Sequence, residues 1–259
     1  MNMLEKYTAV AKKWEAELMK RPDVLGVMHL GGIARQRADE DSDIDIAFFS
    51  REPVSDIVLG ERITVEGCDV ELFNIAMNEG FDNWSPIMRE AYAEGFVSSD
   101  KTGEVADFIA RALEYRDEYR NKYMAELIFE IAWHGWIYTP FRNRTIHGYA
   151  WILPKDLWFK RGVENNAYYL ARFCVERFVE LLFALNRKWT PDYKWRIIKS
   201  RKLPVLPGDY DAKIDYLLFA EWNRDTWERK SECLQSMIDE IVPLAAADLP
   251  DDWYALIDK

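Results

Sequence analysis

Apolar positions along the chain change rhythm twice, and each change marks a different kind of element. Leu4, Tyr7, Ala11, Trp14 and Leu18 recur at spacings of three and four with charged residues opposite, which predicts an amphipathic helix over 3–20 that Pro22-Asp23 ends. Val24 to Leu30 is a short apolar run and predicts a strand, with Asp43 to Phe49 as its neighbour. After a turn region around Pro53 to Gly60, Arg62 to Val65 and Cys68 to Ile75 read as a hairpin joined through Glu66-Gly67. Trp84 to Glu94 predicts a helix closed by Gly95, and Phe96 to Ser99 a last short strand before Asp100-Lys101-Thr102-Gly103. From Glu104 onward the rhythm is helical, at 104–118, 121–138, 166–186 and 210–242, and no stretch reads as a strand. The expectation is an α+β chain: a small mixed β-sheet domain over 1–103 followed by an all-helical domain over 104–259, with the boundary in the helix near 104–120.

The stretch that carries chemistry lies between the first two predicted strands. It runs Gly31-Gly32-Ile33-Ala34-Arg35, then a polar loop, then Ser42-Asp43-Ile44-Asp45. Residues i and i+2 of a strand share a face, so Asp43 and Asp45 present adjacent carboxylates while Ile44, Ile46 and Phe48 turn the other way into a core. Two anions held that close repel each other unless a cation sits between them, and all-oxygen ligation suits Mg²⁺. The second arm of the hairpin repeats the arrangement, with Asp69, Glu71 and Phe73 on one face and Val70 and Leu72 on the other.

Composition narrows the partners. Hydrophobic residues at 49% and aromatics at 14% place the chain among globular proteins with real cores. A formal net charge of −11 argues against a sequence-independent grip on nucleic acid and is compatible with a cationic small substrate. Cys68, Cys174 and Cys233 are odd in number and lack metal-ligand spacing, so neither disulfides nor zinc is indicated. The first turns carry Glu5, Lys12, Lys13, Glu15 and Glu17 in place of a secretory pattern, and the apolar segments are interrupted well short of the roughly 20 residues a membrane span needs. The expectation is a cytoplasmic protein without a membrane partner.

A Gly-Gly turn, an Ala-Arg pair and Ser-Asp-x-Asp entering an apolar strand resemble the signature of the DNA polymerase β-like nucleotidyltransferase superfamily. The matching residues are Gly31, Gly32, Ala34, Arg35, Ser42, Asp43 and Asp45, and Asp69 looks like that superfamily's third carboxylate, with Glu71 the next candidate on the same face. Gly32 stands where many members have serine and Gln36 where many have glycine. A sheet domain followed by a helical one is similar to the aminoglycoside and lincosamide nucleotidyltransferases. The resemblance implies two Mg²⁺ ions held by Asp43, Asp45 and Asp69, with Glu71 beside them, ATP or another NTP as substrate, and transfer of AMP to a hydroxyl of a small molecule such as an aminoglycoside-like antibiotic. It leaves open a protein acceptor, as in antitoxin-type relatives, and a nucleotide-binding protein without turnover.

Farther along, Leu170-Ala171-Arg172 and Thr190-Pro191-Asp192-Tyr193-Lys194-Trp195 resemble the helical domain of streptomycin and spectinomycin adenylyltransferases, which implies that Lys194 reaches the nucleotide's phosphates alongside Gly31, Gly32, Arg35 and Ser42. A general base is sought among Glu126, Glu130, Glu176 and Glu180, spaced in pairs four apart. Glu130 sits in the most apolar context, which favours a raised pKa; Arg172 and Glu176 have the spacing of a helix-surface ion pair. Trp133, Trp136 and Tyr138 are candidates to stack on a base or sugar, although aromatics at helical spacing are usually core. Arg142, His147 and Tyr149 resemble the motif of the HEPN ribonuclease toxins; the acidic charge and the long helical region that follows favour an interhelical loop there.

Overall fold

A computed structural model of the chain describes residues 2–55, 63–136, 155–219 and 221–257. Two compact units emerge, Met1–Glu114 and Tyr115–Lys259.

The first unit opens with α1 (Met3–Lys20), whose start is fixed by Asn2 and Glu5 in a reciprocal capping box. Strand β1 (Val24–His29) is buried along its whole length. A single helical turn, α2 (Gly31–Ala34), leads through the polar loop to β2 (Ile44–Ser50). The hairpin β3 (Ile63–Val65) and β4 (Cys68–Ala76) turns through Glu66 and Gly67, whose φ angles of 53° and 69° are the left-handed pair that a two-residue hairpin needs. Then come α3 (Pro86–Glu94), capped by the Ser85 hydroxyl and opened by proline, β5 (Phe96–Asp100), and α4 (Glu104–Ala112).

The strands form one mixed sheet in the order β3-β4-β2-β1-β5. β2 and β4 run parallel, and the other pairs are antiparallel. On one face α1 buries Tyr7, Val10 and Leu18 against Val27, Ile44, Ile46, Phe48, Val70 and Leu72. On the other, α3 and α4 supply Tyr92, Val105, Phe108 and Ile109 against Leu25, Met28, Ala47, Phe49 and Ile75. Ile44, Ile46 and Phe48 therefore anchor β2 from beneath, which leaves the face carrying Asp45 to the α3 side.

The described part of the second unit is helical, and no strand occurs among its described residues: α5 (Asp117–Trp133), α6 (Leu157–Lys160), α7 (Glu164–Leu185), α8 (Tyr193–Ser200), α9 (Tyr210–Phe219) and α10 (Arg224–Ala247). Met124, Leu127, Ile128, Phe178, Leu181, Leu182, Ile214, Leu234, Met237 and Ile238 belong to its core. The helix expected over 210–242 is two helices, because Asn223 accepts from the N–H groups of Asp225 and Thr226 and starts α10 afresh. α8 was not expected from the pattern; Asp192 caps it by accepting the Lys194 N–H.

Arg62, Tyr138 and the Arg142 to Tyr149 pattern lie outside the described residues. Among the described residues no helix is long and apolar enough to cross a membrane. Cys68, Cys174 and Cys233 are free thiols.

Candidate active site

The site forms where β2 and β4 run side by side. Parallel pairing sets Asp45 opposite Glu71, and neighbouring strands lie about 4.8 Å apart, so the two carboxylates stand next to each other on one face. Asp43, two residues before Asp45, joins them from the strand's entry. Carboxylate oxygens of Asp43, Asp45 and Glu71 all lie within 4.8 Å of one another, and all three side chains are half-buried. Three hard oxygen donors from three residues fit a divalent cation such as Mg²⁺, and their mutual repulsion is relieved when one binds.

The Gly-Gly turn is shaped around the second of these acids. The Leu30 N–H donates to the Asp45 carbonyl at 3.0 Å, which ties the start of α2 to β2. Gly31 has φ of 57°, and a Cβ there would lie 1.9 Å from Asp45 Oδ2. At Gly32 a Cβ would lie 2.8 Å from the Arg37 carbonyl. The turn thus needs glycine at 31 both for its backbone conformation and for the approach of the carboxylate. Gly31→Ala is expected to cost about 1–2 kcal/mol from the left-handed conformation alone, plus the displacement of the Asp45 side chain. A lowered Tm together with weaker Mg²⁺ stabilisation in a thermal melt would show both effects. On the α3 side of the sheet, which Asp45 faces, Tyr92 is buried; burial first, and the Asp45 charge second, push its phenol pKa up.

Asp69, the acid that the superfamily pattern singles out, is not in the group of three. It pairs with Thr64 of β3, whose hydroxyl donates to Asp69 Oδ1 at 2.8 Å. Glu71 takes the third place because the β2–β4 register puts it, and not Asp69, beside Asp45. Ser42 closes the loop on itself: its hydroxyl donates to Asp39 Oδ1 at 2.9 Å and accepts the Asp39 N–H at 3.0 Å. Arg35 ends α2 and pairs with Glu94 at 3.2 Å.

The remaining candidates belong to the second unit. Lys194 is exposed in the first turn of α8. Glu130 lies 3.6 Å from the Arg177 guanidinium; burial pushes its carboxyl pKa up, Arg177 opposes this, and Glu180 and Glu126 add to it. Glu180 is taken up in structure, since it is 4% exposed and accepts from Arg196, Arg177 and Tyr123. Glu126 is near Lys122, and Glu176 is exposed. Trp136 is buried and Trp133 half-buried.

No family model matches the chain, and no curated protein does. Among solved structures it is similar to a nucleotidyltransferase-like protein from Exiguobacterium sibiricum 255-15, at 12% identity and a TM-score of 0.48, over 95% of this chain and 78% of that one.

Proposed function

We propose that the chain is an Mg²⁺-dependent nucleotidyltransferase that moves AMP from ATP to a hydroxyl of a small molecule, with an aminoglycoside-like antibiotic as the model acceptor. The observation that carries this reading is the cluster of Asp43, Asp45 and Glu71 within 4.8 Å, set against a glycine turn that no larger residue fits. Asp43, Asp45 and Glu71 would hold the metal, which would supply electrostatic stabilisation of the attacking and leaving oxygens.

The chain's own residues do the rest. Gly31 and Gly32 let the backbone approach the β and γ phosphates, and Arg35 and Lys194 add charge-assisted contacts to them. Ser42 keeps the loop closed through Asp39, so that Asp43 enters β2 in a fixed place. Glu130, with its pKa raised by burial, is the group we assign to accept the acceptor's proton. The net charge of −11 favours a cationic acceptor, and the free thiols suit a reducing, cytoplasmic setting.

The test is transfer of label from α-labelled ATP to a panel of hydroxyl-bearing small molecules, aminoglycosides included. Labelled product carries the reading. Labelled protein bands with no labelled small molecule would replace the acceptor class, and Mg–ATP binding without pyrophosphate release would replace catalysis by binding. The third acid has its own test within the same assay. Glu71→Gln is expected to lower transfer on the order of 100-fold, whereas Asp69→Asn, whose partner is Thr64, lowers it by less than about fivefold.

A further inference from the structure

Arg35 is a cation at the end of the glycine turn, and the fold supplies it with an anion from a different element. Its N–H donates to the Gly31 carbonyl at 3.1 Å, which sets the residue one helical turn from the glycine that abuts Asp45. Its guanidinium Nη1 donates to Glu94 Oε2 at 3.2 Å, and both side chains are 29% exposed. Glu94 is the last residue of α3, a helix held at both its halves. Arg89 ties α3 to the Phe81 carbonyl at 2.7 Å and the Trp84 carbonyl at 3.3 Å. Tyr92 is buried against the sheet. Gly95 lies so near β1 that a Cβ there would stand 2.5 Å from Leu30 Cδ2 and 2.8 Å from the His29 carbonyl.

A carboxylate presented from a seated helix end fixes where the guanidinium rests, and it also cancels the positive charge that phosphates would seek. We propose that Glu94 is a positioning residue for nucleotide binding: it holds Arg35 beside the Gly31–Gly32 turn in the ligand-free protein and exchanges it to the phosphates of an incoming nucleotide. This rests on the nucleotidyltransferase reading of the same site. The exchange has a direction. A nucleoside triphosphate carries more charge than one carboxylate and offers several acceptor oxygens to a planar guanidinium, so the nucleotide wins the arginine at the cost of breaking the Glu94 pair. Neutralising Glu94 removes that cost while keeping the size and shape of the side chain.

The experiment pairs a chemical probe of Arg35 with nucleotide binding in the full chain. Phenylglyoxal modification of Arg35, followed by mass spectrometry without nucleotide, is expected to run about three- to fivefold faster in Glu94→Gln than in wild type, the range of a partly exposed ion pair. The Kd for Mg–ATP by calorimetry is expected to fall by a similar factor in Glu94→Gln. In the Arg35→Gln background the same substitution is expected to leave the Kd unchanged, because the cation it frees is gone. An unchanged modification rate, or an equal gain in affinity with and without Arg35, overturns the proposal. Wild-type protein that binds neither Mg–ATP nor Mg–GTP overturns the nucleotidyltransferase reading and the exchange with it. That outcome is distinct from wild type that binds while Glu94→Gln behaves as wild type, which overturns the exchange alone.

Discussion

Asp45→Asn is expected to lower label transfer from α-labelled ATP on the order of 10³-fold while leaving the fold as stable as wild type or more so. Both halves come from the same geometry. Asp45 shares a 4.8 Å space with Asp43 and Glu71, three anions that disfavour one another in the absence of a cation. Asparagine keeps the shape and removes one charge, so repulsion among the remaining carboxylates falls. The variant would hold a metal with one carboxylate fewer, and transfer would lose the charge stabilisation that ion would supply, an effect of the size seen when preorganised electrostatic groups are removed. A thermal melt with and without Mg²⁺ separates the two: wild type gains stability on adding metal, since a ligand that binds only the folded form raises its apparent stability, and the variant gains little. If Asp45→Asn retained both activity and the Mg²⁺ shift, the carboxylate cluster would not be the active site.

The first unit was legible in the sequence because its elements are short and its signals local. Glu66-Gly67 announces a two-residue hairpin, Gly95 a helix end, and Ile44-Ile46-Phe48 a strand with one face in the core; the structure shows each of these. Register between strands distant in sequence left no such mark. Asp69 and Glu71 share a face by alternation alone, and only the parallel pairing of β2 with β4 decides that Glu71 stands beside Asp45. Nothing in the residues themselves distinguishes that register from one shifted by two. Arg35 shows the same limit: its partner Glu94 is far along the chain and meets it because α3 packs beside α2. In the second unit, apolar periodicity ran through the break between α9 and α10, since both helices turn apolar faces to one core. The Asn223 cap that divides them is a local signal hidden by that continuity.

Arg196→Met is expected to destabilise the second unit by about 3 kcal/mol, the low end of the cost of breaking a buried ion pair by removing one partner. Glu180 is 4% exposed and Arg196 5% exposed, and the Arg196 guanidinium donates to Glu180 Oε1 at 2.5 Å. The other carboxylate oxygen is held by Arg177 at 3.0 Å and by the Tyr123 hydroxyl at 3.1 Å, so the variant keeps half of the network and the cost stays below its upper range. Methionine fills the space of the stem but leaves Oε1 desolvated with no donor. Because the penalty is an orphaned charge and not lost packing, Arg196→Met with Glu180→Gln is expected to recover part of the loss, which urea titration would read as non-additive midpoints. Arg196 also stacks 4.0 Å from the Tyr193 ring and donates to the Pro191 carbonyl at 3.3 Å, so the same guanidinium pins the start of α8 where Lys194 sits. Additive midpoints for the two substitutions would instead assign the loss to packing around the Arg196 stem and not to an orphaned Glu180 charge.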